Sequence, residues 1–190
     1  MSGFPADYLS ELEIARIQLL ALARAVPQEL YAWRPAEGAR SFSAVLVHIA
    51  AGNLALLQMT GARTPAVVEL YGSLAGDDFD QAGAMIRSNS ALERTLTEKQ
   101  ALIDFLTRSF DAARQAFSSA EDLEKIGTLF GEPVTARRLY LRMLAHCHEH
   151  MGQAIAYVRF CGLKAPWPDP LGDLDQLIAE ARARQAASIG

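Results

Sequence analysis

Eight prolines, at positions 5, 27, 35, 65, 133, 166, 168 and 170, limit the lengths that regular structure can take in this chain. A proline inside a helix removes a hydrogen bond and clashes with the preceding turn, so helices are confined to the stretches between them. Four stretches carry apolar residues at steps of three and four. The first, over 7–25, places Leu9, Leu12, Leu19, Leu20 and Val26 on an imperfect stripe that Pro27 closes. The second opens at Ser41, whose hydroxyl suits an N-cap, and carries Val45, His48, Gly52, Ala55 and Met59 on one seam. The third is announced by Thr97 with Gln100, at the spacing of a capping box, and continues through Leu102, Phe105, Leu106, Phe110, Ala113 and Phe117 to 118–119. The fourth follows Gly131-Glu132-Pro133 with Thr135 as its N-cap and runs to Cys161; its seam reads Leu139, Met143, His146, His150, Gln153 and Tyr157. No alternating run with turn punctuation stands out as a strand, so the expected fold is all-α, a four-helix bundle.

Between the second and third helices the glycine-containing stretch 61–92 reads as a long connection with a short helix around 66–71. At the far end Pro166-Trp167-Pro168-Asp169-Pro170 is rigid and extended, and Leu174, Leu177, Ile178 and Ala181 suggest a tail helix. One domain is expected at 190 residues, 51% of them apolar: the bundle over 1–165, then the proline-rich segment and tail helix over 166–190. The stretch 41–62 contains no Asp, Glu, Lys or Arg and is long enough to span a membrane. His48, Gly52, Asn53 and Gln58 interrupt it, and it reads instead as a helix buried in the bundle. Eighteen Lys+Arg against 22 Asp+Glu leave a net charge of −4, which offers no electrostatic footprint for nucleic acid or an anionic membrane. Cys147 and Cys161 cannot supply the disulfide framework of a secreted domain, and Met1 to Asp7 lack the basic-then-apolar order of a leader. The expected location is the cytoplasm.

Three of the four histidines fall within 146–150. Helical positions four apart differ by about 40° in azimuth, so His146 and His150 project side by side, whereas His148 lies about 200° from His146 and faces away. His48, on the second helix's seam, is the natural third imidazole if the second and fourth helices are neighbours. Three neutral imidazoles hold a borderline divalent ion and leave positions open for water or substrate. The same spacing also fits a hydrogen-bonded core histidine and a solvated pair, and periodicity alone does not separate these readings. Neither a His-Glu-x-x-His motif nor the paired Glu-x-x-His of di-iron bundles is present. Asn53, Arg142 and Gln153 are the residues able to orient a substrate or cofactor; Arg142 equally suits a surface ion pair, and Gln153 an outer-shell or interhelix contact. Cys147, rotated by about 100° from His146, reads as a small apolar residue between helices, and Gly152 as a point of close helix approach.

The segment His146-Cys-His-Glu-His150-Met-Gly152-Gln153, continuing to Arg159-Phe-Cys-Gly162, resembles the His-x-x-x-His-x-Gly-Gln … Arg-x-x-Gly closing helix of the DinB/YfiT-like four-helix-bundle superfamily. Trp33-Arg34-Pro35, Ser41 and Leu46-Val47-His48-Ile49 are similar to that family's Trp-x-Pro … Ser … Leu-x-His-Ile segment. The resemblance covers most of 7–165. It implies that His48, His146 and His150 bind one divalent ion, usually zinc or nickel, and that the chain is a homodimer. Characterised members are thiol-dependent transferases and isomerases using mycothiol, bacillithiol or glutathione; others have no known activity, so membership does not settle the reaction. The expected function is therefore that of a metal-dependent thiol S-transferase, isomerase or hydrolase acting on a small-molecule substrate, with a low-molecular-weight thiol as a second cofactor. The alternative is a non-enzymatic helical binding or stress-response module with a structural or vestigial metal site. No catalytic residue follows from the pattern.

Overall fold

In a computed structural model, which describes residues 3–74 and 79–167, six α-helices follow one another as α1 (Phe4–Ala25), α2 (Phe42–Met59), α3 (Pro65–Tyr71), α4 (Phe79–Thr95), α5 (Lys99–Ser118) and α6 (Ala136–Phe160). A hairpin of β1 (Ile126–Leu129) and β2 (Glu132–Thr135) precedes α6. The expected all-α bundle is present: α2 packs against α5 and α6, and α1 completes it against the same two helices. The expected N-caps of α2 and α6 are in place, Ser41 accepting from the Ala44 amide and Thr135 from the Arg138 amide. The expected tail helix over 174–181 lies outside the described residues.

Burial explains why α2 carries no charge. It is largely apolar around most of its circumference because α3 and α4 add to α5 and α6 around it. By length and composition it could cross a membrane, yet 89% of it is buried inside the protein. Only His48, Gly52 and Ala55 along it are partly exposed, and their spacing puts them on one stripe. At one end of the bundle, Tyr8 stacks on Phe117 with ring centroids 4.1 Å apart, and Tyr140 meets Phe117 edge-on at 4.9 Å, tying α1, α5 and α6 together.

Three local expectations are corrected. The stretch 61–92 holds a second, longer helix besides α3. This α4 has a polar sequence with Ser88, Asn89 and Ser90 in it, so its apolar signal is weak; buried Ala82 and Met85, together with packing on α2, give it its place. The cap of α5 is Glu98, whose carboxylate accepts from the Ala101 amide at 2.8 Å, and not Thr97. Strands do exist: Ile126 pairs with Thr135 and Leu129 with Glu132 across a turn in which Phe130 and Gly131 have φ of 52° and 88°. Both central residues at positive φ is the hairpin geometry usually marked by Asn-Gly, and Phe-Gly hides it. Pro133 sits in β2, which has a partner on one side only.

A polar tie crosses the core. The Cys147 thiol on α6 donates to Asn53 Oδ1 at 3.2 Å, and Asn53 Nδ2 donates to Ser109 Oγ on α5 at 3.4 Å. All three residues are fully buried. Replacing Asn53 with Ala leaves the thiol without an acceptor and a void between helices. The variant is expected to lose about 1–3 kcal/mol in urea unfolding while its metal content by elemental analysis stays at the wild-type level.

Candidate metal centre

On α6, His146 and His150 stand one turn apart and face α2, where His48 lies on the partly exposed stripe. The ring centroids form a near-equilateral triangle: 4.9 Å between His48 and His146, 4.5 Å between His48 and His150, and 4.6 Å between His146 and His150. One ligand atom from each lies within 4.8 Å of the others. His148 is exposed on the opposite face, as its azimuth requires.

Outer partners orient two of the rings. His48 Nδ1 donates to Glu93 Oε1 at 2.7 Å, which leaves its Nε2 lone pair for the cluster. Arg40 Nε donates to the other Glu93 oxygen at 2.8 Å. His150 Nδ1 donates to Gln153 Oε1 at 3.0 Å, and Gln153 Nε2 in turn donates to the Tyr157 hydroxyl at 2.9 Å. His146 is positioned by shape instead. Its Nδ1 is buried with no hydrogen-bond partner among the described residues, and its ring lies directly on Gly52. A Cβ at Gly52 would press on His146 Cε1 and come within 2.9 Å of Nδ1.

The donor set fits a metal ion. His48 Nε2 and His146 Nε2 lie 3.1 Å apart; two imidazole nitrogens on one tetrahedral ion at roughly 2.0 Å are about 3.3 Å apart. Ligation needs neutral rings. Burial pushes His146 down to about 3, helped by His48, His150, Arg142 and Arg40, and burial also lowers His150 despite its bond to Gln153. Burial opposes the charge on Glu93, but hydrogen bonds from His48 and Arg40, and their charges, outweigh it and hold its carboxyl below the usual range.

The sign of the His146 shift sets the acid behaviour of the metal-free protein. The unfolded chain binds this proton below about 6.5 and the folded chain only below about 3, so stability is full above the first value and falls as pH drops toward the second. Urea midpoints of metal-free protein are expected to fall steadily through that window, with a shallower slope in His146→Gln.

Of the three residues expected to orient a ligand, Gln153 alone joins the cluster, as the partner of His150. Arg142 extends to Glu149 in an exposed ion pair of 3.2 Å. Asn53 is bonded into the core between Cys147 and Ser109. Among the described residues nothing lies within 4 Å of a Cβ built on Gly152, so close approach belongs to Gly52. Glu93 and Arg40 escape sequence reading: both precede or follow the histidines by irregular distances, and α4 shows no seam that would mark Glu93 as inward-facing. Substituting Glu93 with Gln keeps the shape but removes the carboxylate. If the cluster holds a divalent ion, the variant is expected to bind it about 10–100-fold more weakly, read by competition with a chromogenic chelator.

A family model described as the DinB superfamily matches residues 11–154. The fold is similar to a solved structure of a DinB-like protein from Bacillus cereus ATCC 10987, with a TM-score of 0.65 and 18% identity, over 85% of this chain and 95% of that one. No curated protein matches the chain.

Proposed function

The chain belongs to the DinB superfamily, and from that premise we propose that it is a metal-dependent enzyme of the thiol S-transferase, isomerase or hydrolase type. The observation that carries this reading is the convergence of three imidazoles, His48, His146 and His150, with donor atoms within 4.8 Å and no thiolate among them. Structural zinc sites are closed, four-coordinate and rich in cysteine, whereas three histidines are the donor set of sites that keep a position open. A zinc or nickel ion held there favours the thiolate form of a thiol, or lowers the pKa of a water, at neutral pH.

The protein's own residues prepare that position. Glu93 holds the His48 tautomer, and the Gln153–Tyr157 pair holds that of His150. Burial keeps His146 neutral. Cys147 is fully buried and its thiol is pushed up to about 12, so the nucleophile in a thiol reaction comes from a small molecule and not from this side chain. A cytoplasmic setting, where low-molecular-weight thiols are kept reduced, and a homodimeric state go with the same reading.

Elemental analysis of untagged, metal-replete protein, followed by calorimetric titration with mycothiol, bacillithiol and glutathione, tests it. One ion per chain and saturable binding of one thiol are expected. Absence of stoichiometric metal sinks the reading. Stoichiometric metal with no thiol binding, no hydrolytic activity on an ester panel and a lowered melting temperature on chelation identifies a structural clamp between α2 and α6 instead.

A further inference from the structure

A cavity of about 470 Å³ lies between the loop that leads into α2 and α4. It stays open because Ala32, Gly38, Ala39 and Ala44 line it with little or no side chain. Arg34, Arg40 and Arg94 line it, against Glu93 as the one carboxylate among the described residues. In a chain with a net charge of −4, three arginines lining one cavity are a local reversal of sign. Arg40 is committed to Glu93; among the described residues neither Arg34 nor Arg94 has an ion-pair partner. Ser41, Ser90 and Thr97 complete the lining. The α2 N-terminus is not the source of recognition, since its first amides are used: Phe42 N donates to Trp33 O, Ser43 N to Tyr31 O and Ala44 N to Ser41 Oγ.

We propose that this cavity binds a small dianion through Arg34 and Arg94, with Arg40 shared between the ligand and Glu93. The planar guanidinium fork matches two oxygens of a carboxylate or phosphate, and several forks around one volume suit a doubly charged oxyanion over chloride or a monocarboxylate. The site is separate from the imidazole cluster but touches it through one residue. Glu93 accepts from Arg40 on one oxygen and from His48 on the other, so an anion that draws on Arg40 is felt at the carboxylate that orients His48. Binding itself does not depend on the metal.

Calorimetric titration of the metal-free protein at constant ionic strength, with inorganic phosphate in one arm and succinate in the other, tests the proposal. Saturable binding of one anion per chain is expected, weakened about tenfold or more when Arg34→Gln and Arg94→Gln are combined and by a smaller factor in each single variant. Both side chains are exposed, so the variants keep the wild-type helix content and melting temperature. The arm with the tighter binding tells a phosphate ligand from a dicarboxylate. The proposal is overturned if neither anion binds saturably, or if the double variant binds both as tightly as the wild type.

Discussion

His146→Ala is expected to abolish stoichiometric metal. It removes one of three donors and the only one whose ring rests on Gly52, leaving His48 and His150 with nitrogens held by Glu93 and Gln153 but no third ligand. The loss in affinity exceeds the roughly 100-fold that removal of an outer partner causes. The measurement is elemental content after dialysis against a buffered zinc or nickel activity, beside wild type and His148→Ala. His148 is exposed and faces away, so its variant retains the wild-type content. If His146→Ala keeps one ion per chain, the three-histidine site is wrong.

Gly52→Ala carries the second large effect, and it separates metal binding from stability. Within α2 the new methyl group gains about 1 kcal/mol of helix propensity. It also strikes the His146 ring, and overpacking of this kind costs about 1–3 kcal/mol if the ring stays. The ring can relieve the clash only by leaving its place, because α2 is hemmed in by α3, α4, α5 and α6. The expected outcome is a melting temperature within a few degrees of wild type together with at least about a tenfold loss in metal affinity. Gly152→Ala is the matched control. Among the described residues nothing lies within 4 Å of the new methyl group, so the variant is expected to gain about 0.5–1 kcal/mol from propensity and to bind metal as before. Equal metal affinity in the two variants would show that His146 is not held by Gly52.

The helical class was legible in the sequence because its signals are local. Proline spacing, the hydroxyl caps Ser41 and Thr135, and apolar residues at steps of three and four are short-range patterns, and they locate α1, α2, α5 and α6 within a few residues. The absence of charge from α2 also announced its burial. What failed was equally local in origin. The α4 helix has too polar a sequence to show a seam, and the Phe130-Gly131 turn adopts a geometry that its first residue conceals.

The three metal candidates were likewise visible one helix at a time. The i,i+4 relation of His146 and His150 follows from the pitch of a helix, as does the outward turn of His148. That His48 meets them was conditional on α2 and α6 being neighbours, which no periodicity states. Family resemblance supplied that adjacency, and the packing of α2 on α6 bears it out.

By itself, then, the sequence determined the helices, their caps and the faces on which the histidines lie, since hydrogen bonding along a helix and side-chain periodicity are properties of neighbouring residues. Tertiary structure alone decided what surrounds those histidines. Glu93 reaches His48 because α4 packs on α2; the His146 ring fits because Gly52 has no Cβ; Asn53 is drawn into the core by Cys147 and Ser109 while Arg142 is left at the surface. Each depends on the distance between backbones that are far apart in the chain, and that distance is set by how side-chain volumes fill the space between helices.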